Sequence, residues 1–214
     1  MKNLLQWLFF GLIVRVVVLL VIGLRIQGKQ RLPKSGPVMI VANHNSHLDT
    51  LVLMSLFPLR MLNQLRPVAA EDYFLNQNPW LAWFALDMMN IIPIAREAGC
   101  DRQFLKRCGA ALQNNQILIL YPEGSRGEPE CLTEFKTGIA HLAKHHPQVP
   151  IVPIFLQGLG KALPKGEALL VPFFCDVLIG EPLYWTGSKS GLMHLLTERF
   201  QALAASGNFP IWEA

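Results

Sequence analysis

Apolar positions dominate the start of the chain. Residues 3–14 and 16–24 are uncharged and mostly apolar, and only Arg15 interrupts them. The run approaches the ~20 residues that a helix needs to cross a bilayer. It predicts a hydrophobic, membrane-attached helix occupying a segment 1–27. Arg15 near its middle would cost about 2.5–3.5 kcal/mol in hydrocarbon. Two geometries therefore stay open: a spanning helix with Arg15 snorkelling or paired, and a helix that lies in the interface or returns to the same side. A third reading makes the run a core helix of the domain. No small-residue cleavage site follows, so the run is not patterned as a secretory signal. Residues 29–37, preceded by Gly28 and carrying Pro33, Gly36 and Pro37, read as a linker.

Beyond it the period changes. Short apolar runs at 38–42, 67–70, 91–95, 117–121 and 151–156 have strand length, and 169–179 supplies one or two more. Between them lie helical patterns at 50–57, 80–89, from a cap at Asp101 to about 113, and 135–145, with a terminal helix at 192–205. Alternation of this kind predicts an α/β domain over 28–214: a largely parallel mixed sheet flanked by helices.

Composition narrows the class. The 214 residues are 51% hydrophobic and 16% charged, with a mean hydropathy of +0.30. A disordered chain needs the reverse balance. A polytopic membrane protein needs further apolar stretches of spanning length, and no second one occurs. The net charge is +4, and its distribution is more telling. No Asp or Glu precedes Asp49, whereas Lys2, Arg15, Arg25, Lys29, Arg31 and Lys34 do. Basic residues following an apolar segment suit the anionic cytoplasmic leaflet and put the remainder of the chain in the cytoplasm. A nucleic-acid partner would explain the charge but not the apolar residues beside it. Cys100, Cys108, Cys131 and Cys175 form no CxxC pair, so they read as reduced thiols and not as a zinc site or disulfide framework.

Two constellations carry chemistry. Asn43-His44-Asn45-Ser46-His47-Leu48-Asp49 follows the strand at 38–42, where α/β folds place ligands. In a loop turning into a helix, His44 and Asp49 can meet. A carboxylate on one imidazole nitrogen leaves the other as a base. Equally, Asp49 can cap the helix and His44 can be a turn residue. Tyr121-Pro122-Glu123-Gly124-Ser125-Arg126-Gly127 follows the run at 117–121, with Lys136 ten residues beyond Arg126. Its glycines permit close backbone approach to a ligand, and Ser and Arg are natural phosphate partners. Two weaker features are Ile91-Ile92-Pro93-Ile94-Ala95-Arg96, a strand ending in a cation, and the doubly proline-marked run 149–154.

In this order the four resemble the motifs of the glycerolipid acyltransferases of the lysophosphatidate acyltransferase family, the HX4D group. Asn43, His44, Ser46 and Asp49 match NHxSxxD, Pro122 to Arg126 match PEGSR, Arg96 matches the end of the second motif and 149–153 the fourth. Ile91 stands where the second motif usually carries Gly, and Ser125 where Thr is commoner. The resemblance covers roughly residues 36–182.

It implies transfer of an acyl group from acyl-CoA or acyl-carrier protein to the hydroxyl of a lysophospholipid, lysophosphatidate being the commonest acceptor. It implies His44 as general base and Asp49 as its orienting carboxylate. Arg96 and Arg126 would hold the anionic headgroup, and Asn43, Ser46, Glu123, Gly124, Ser125 and Lys136 complete the substrate-binding set. No metal or cofactor is called for. The type is that of an enzyme of the bacterial inner membrane, its catalytic domain facing the cytoplasm.

Rival chemistries fit less well. A metallohydrolase needs HxHxDH or HExxH. His44, His47 and Asp49 lack the first spacing, and His141/His145 lack the Glu of the second. A serine hydrolase needs GxSxG, and Glu123 occupies the first Gly before Ser125. A non-catalytic lipid-binding protein has no need of His44 and Asp49 together.

Overall fold

The computed structural model describes residues 2–20, 22–46, 48–71, 79–95, 102–125, 127, 132–162 and 173–207. In chain order the elements are α1 (Lys2–Leu8), a π-helical stretch (Phe9–Val14), α2 (Arg15–Leu20), β1 (Ile22–Gln27), β2 (Val38–Ala42) and α3 (Leu48–Ser55). Then come β3 (Leu65–Ala70), α4 (Pro79–Trp83), a second π-helical stretch (Phe84–Met88), β4 (Ile92–Ile94), α5 (Arg102–Gln113) and β5 (Ile117–Leu120). The chain closes with α6 (Gly138–His145), β6 (Ile151–Gln157), α7 (Leu159–Ala162), β7 (Phe173–Ile179) and α8 (Lys189–Ser206).

Seven strands form one sheet in the order β1-β7-β6-β2-β5-β3-β4. Five of them, β6 to β4, run parallel, and the parallel pair β1/β7 joins through an antiparallel β6–β7 contact. This is the largely parallel mixed sheet expected. Its central strands β2 and β5 are buried at every position, which is why their sequences are uninterrupted apolar runs. Alternate residues feed two cores. Ile40, Ile117, Ile119 and Ile154 face α3 and the N-terminal helices on one side. Met39, Val41, Leu118 and Ile151 face α5, α6 and α8 on the other.

The expected segment 1–27 is not one helix. It is helical to Leu20, after which Ile22–Gln27 forms the edge strand β1, paired from Ile22↔Phe173 to Gln27↔Leu178. The reason is legible afterwards: Leu24 and Ile26 alternate with Gly23 and Arg25, a strand period at the end of an apolar run. The stretch read as a linker is fixed to the domain, since Arg31 donates to Ile179 O at 2.9 Å and pairs with Glu181.

The N-terminal helix is two-sided. Gln6, Phe10, Val14 and Val18 are buried, whereas Leu4, Leu5, Trp7, Leu8, Leu12, Ile13 and Val16 are exposed. The inner face is thus a core helix. Its four-residue spacing overshoots an α-helical turn by about 40° per step, and the wider i→i+5 winding of Phe9–Val14 keeps the stripe on the sheet. No described helix is long and apolar enough to cross a membrane.

Candidate active site

β2 and β5 are adjacent, and the connections leaving them pass to opposite faces, β2 into α3 and β5 towards α6. The crevice between two such strand ends is where open α/β sheets hold ligands. Both motif loops open from it.

Asp49, in the first turn of α3, is fully buried. Its Oδ2 accepts three bonds: from the Asn45 and Ser46 amides at 2.7 and 2.8 Å, and from His44 Nδ1 at 2.8 Å. Capping and orientation are therefore one arrangement, and the two roles left open by the sequence coexist. Because the carboxylate only accepts, Nδ1 of His44 carries the proton. Nε2 is then the basic nitrogen on a side chain that is 21% exposed.

The second loop grips His44 through its backbone. Glu123 is buried. Its Oε1 accepts the His44 N–H at 2.9 Å and its Oε2 accepts the Thr133 hydroxyl at 2.8 Å. Burial raises the carboxyl's pKa, and the His44 and Thr133 bonds oppose that rise. On the other side of the same residue, Gly127 N–H donates to His44 O at 3.1 Å.

Tyr121 completes the mount. Its ring stacks on the His44 imidazole with centroids 4.1 Å apart and planes 19° apart, and its hydroxyl shares a 2.8 Å bond with Thr50. Burial, and then the Asp49 charge, push the phenol well above its ordinary pKa. Tyr121 is thus a neutral plate across the working pH range.

The geometry gives the other expected residues their surroundings. The Asn43 amide donates to Leu156 O at 2.8 Å and accepts from Leu156 N at 2.7 Å, clamping the end of β2 to β6. Ser46 is buried at the start of α3, with its Oγ accepting from Leu48 N at 3.3 Å. Glu123 is bonded to the His44 peptide and the Thr133 hydroxyl. Gly124, with φ of +74°, and Ser125 are exposed at the turn. Lys136 lies against that turn, where a Cβ on Gly124 would stand 2.6 Å from Nζ. Arg96, Arg126 and His47 lie outside the described residues. Among the described residues no three His, Cys, Asp or Glu side chains gather to hold a metal ion.

Thr50 and Thr133 are not among the residues expected of the site from the sequence, and the contacts of Tyr121 and Gly127, both within the second constellation, are not expected either. Tyr121 carried a signal, being an aromatic hydroxyl directly after a fully apolar strand. Thr133 carried none, and Gly127 only that of a motif glycine, because their partners depend on how the loop folds back.

A model of the acyltransferase family matches residues 23–157. The chloroplastic 1-acyl-sn-glycerol-3-phosphate acyltransferase of Brassica napus is 34% identical over 171 residues, which are 78% of this chain and 46% of that protein. The alpha 1-acyl-sn-glycerol-3-phosphate acyltransferase of Bos taurus is 29% identical over 181 residues, 83% of this chain and 60% of its own length. The chain thus spans about half the length of the curated relatives it matches. In fold it is similar to the crystal structure of the 1-acyl-sn-glycerophosphate acyltransferase from Thermotoga maritima, with a TM-score of 0.71 over the whole of both chains at 20% identity.

Proposed function

This chain belongs to the acyltransferase family, and from that premise we propose that it transfers a fatty acyl group from a thioester to the hydroxyl of lysophosphatidate, giving phosphatidate. The observation that carries the reading is the buried Asp49 carboxylate on His44 Nδ1 at the crevice. Nε2 takes the proton of the acceptor hydroxyl as its oxygen attacks the thioester carbonyl. The tetrahedral intermediate collapses, the carbon–sulfur bond breaks, and the leaving thiolate takes up the proton. The products are an ester and a free thiol. Asp49 stabilises the imidazolium in between. Lys136 is assigned the anionic headgroup, a role that its position against the Gly124 turn supports, with Arg96 and Arg126 assigned the same role from their motifs.

Thiol release from a long-chain acyl-CoA by the full chain in detergent tests this. Release should depend on added lysophosphatidate and yield phosphatidate. Release into water alone would make the protein a thioester hydrolase. Phosphatidate formation with Ser125→Ala should persist, because no step passes through that hydroxyl.

We further propose that the exposed side of the N-terminal helix is the membrane contact, with the catalytic domain on the cytoplasmic face. Gln6 Nε2 donates to Met88 O at 2.8 Å, which ties α1 to the segment that follows α4. Trp80 and Trp83 of α4 and Leu86 beyond it are exposed, Trp80 by 76%. Apolar side chains on a helix face, joined by tryptophans, suit an interfacial attachment. Burying one Leu or Ile side chain contributes about 1.5–3 kcal/mol. Leu12→Ser with Ile13→Ser, which removes apolar area without adding charge, should therefore lower binding to phosphatidylglycerol-containing vesicles by about tenfold or more, read by flotation. Unchanged flotation would remove this surface from the interface.

A further inference from the structure

Outside the crevice, α5 carries a basic groove. It is a shallow depression of about 610 Å³, broadly open to solvent, and among the described residues it is lined by Arg102, Gln103, Lys106, Arg107 and Ala110. The helix has three cations and no acidic residue. Among the described residues none of the three cations enters an ion pair. Arg107 is oriented by donating to Pro93 O on β4, while Arg102 and Lys106 are exposed.

The fold gives this groove an address. Gln113 ends α5 shortly before Ile117 opens β5, so the helix finishes at the edge away from the crevice. Its twelve residues rise about 18 Å, which returns Arg102 to the edge where the C-terminal ends of β2 and β5 lie. Laterally α5 packs on β4 and β5. From β2 to β4 is three strand spacings, roughly 14 Å. The helix also sits on the face of the sheet opposite the N-terminal helix and its exposed apolar side chains.

We propose that this groove binds the phosphate groups of a coenzyme A thioester; the proposal rests on the acyl-transfer reading of the crevice. The spacing selects the ligand. The acceptor's phosphate is joined to the reacting hydroxyl by a three-carbon glycerol, so it must lie close to His44 and cannot reach α5. A coenzyme A thioester carries its phosphates at the far end of an extended pantetheine arm, a separation of the order that the sheet imposes. Its nucleotide end is water-soluble, and the groove faces away from the apolar surface. Arg binds phosphate through paired, charge-assisted bonds, and the groove's size is in the range of small-molecule sites.

The test is equilibrium binding of free coenzyme A, which has no acyl group and requires no acceptor or turnover. Wild-type full chain should bind it with an affinity that falls as salt rises. Arg102→Ala with Lys106→Ala, both exposed and remote from the catalytic pair, should weaken it tenfold or more. In turnover the double variant should raise KM for acyl-CoA by a similar factor. KM for lysophosphatidate, and the rate with a short acyl thioester lacking phosphates, should not change. Equal coenzyme A affinity in wild type and variant overturns the proposal. So does a defect confined to acyl-carrier protein as donor, which would make the groove a protein dock. Failure of acyl transfer with coenzyme A binding still lost in the variant would fault the reading of the crevice and not that of the groove.

Discussion

His44→Ala lowers acceptor-dependent phosphatidate formation by about 10²–10⁴-fold, the contribution of a positioned general base, while lysophosphatidate binding and the circular dichroism spectrum stay near wild type. The imidazole is partly exposed, bonded to Asp49 and stacked on Tyr121 at the site, and it belongs to neither apolar core, so its loss leaves the cores intact. Asp49→Asn separates the two roles of the carboxylate. With the amide oxygen in the place of Oδ2, the Asn45 and Ser46 amides and His44 Nδ1 keep an acceptor. The amide NH₂ then occupies the place of Oδ1, a buried atom with no hydrogen-bond partner among the described residues. An unsatisfied buried donor costs about 1–3 kcal/mol, so the fold survives at reduced Tm. The imidazolium loses its counter-charge, and the rate should fall nearly as far as in His44→Ala. The double variant should be little worse than either single one, because the two side chains act as a unit. Additive losses, measured as kcat/KM for each variant, would mean that Asp49 does no more than cap α3.

How much of this was legible follows from what a residue's environment depends on. β2, β5 and β6 read directly from the chain because burial on both faces demands unbroken apolar runs. β1 did not, since its alternation at Leu24 and Ile26 is short and continues an apolar helix. The His44–Asp49 pair was legible because both ends lie within one loop–helix turn. The hydrogen-bond partners of Asn43 and Glu123 were not. Their types and positions were visible, but their partners, Leu156 and the His44 amide, lie 113 and 79 residues away. Sequence spacing carries no information about which atom a long-range side chain meets. A motif therefore marks Glu123 as part of the site without saying whether it touches the substrate or the residue that does.

Glu123 makes that difference measurable. Glu123→Ala removes the acceptor of the His44 N–H and of the Thr133 hydroxyl in a buried place. The orphaned donors cost about 1–3 kcal/mol each in stability. The loop that sets the imidazole against Asp49 and Tyr121 loosens. Small displacements of a catalytic group are expensive, a shift of about 1 Å costing roughly 100-fold, so kcat should fall by about that factor with little change in KM for lysophosphatidate. Glu123→Gln keeps a carbonyl oxygen for His44 and turns the Thr133 hydroxyl into an acceptor, and it should lose less than about tenfold. A pH series adds a second readout. Burial holds the folded carboxyl's pKa above its ordinary value, so the fold favours the protonated group. That stabilisation is fully present below the unfolded pKa and is lost as pH rises through the folded one. The Tm of wild type relative to Glu123→Gln should accordingly decline over that interval and level off above it. If Glu123 instead served the acceptor directly, both substitutions would raise KM for lysophosphatidate and leave the chemical step unchanged.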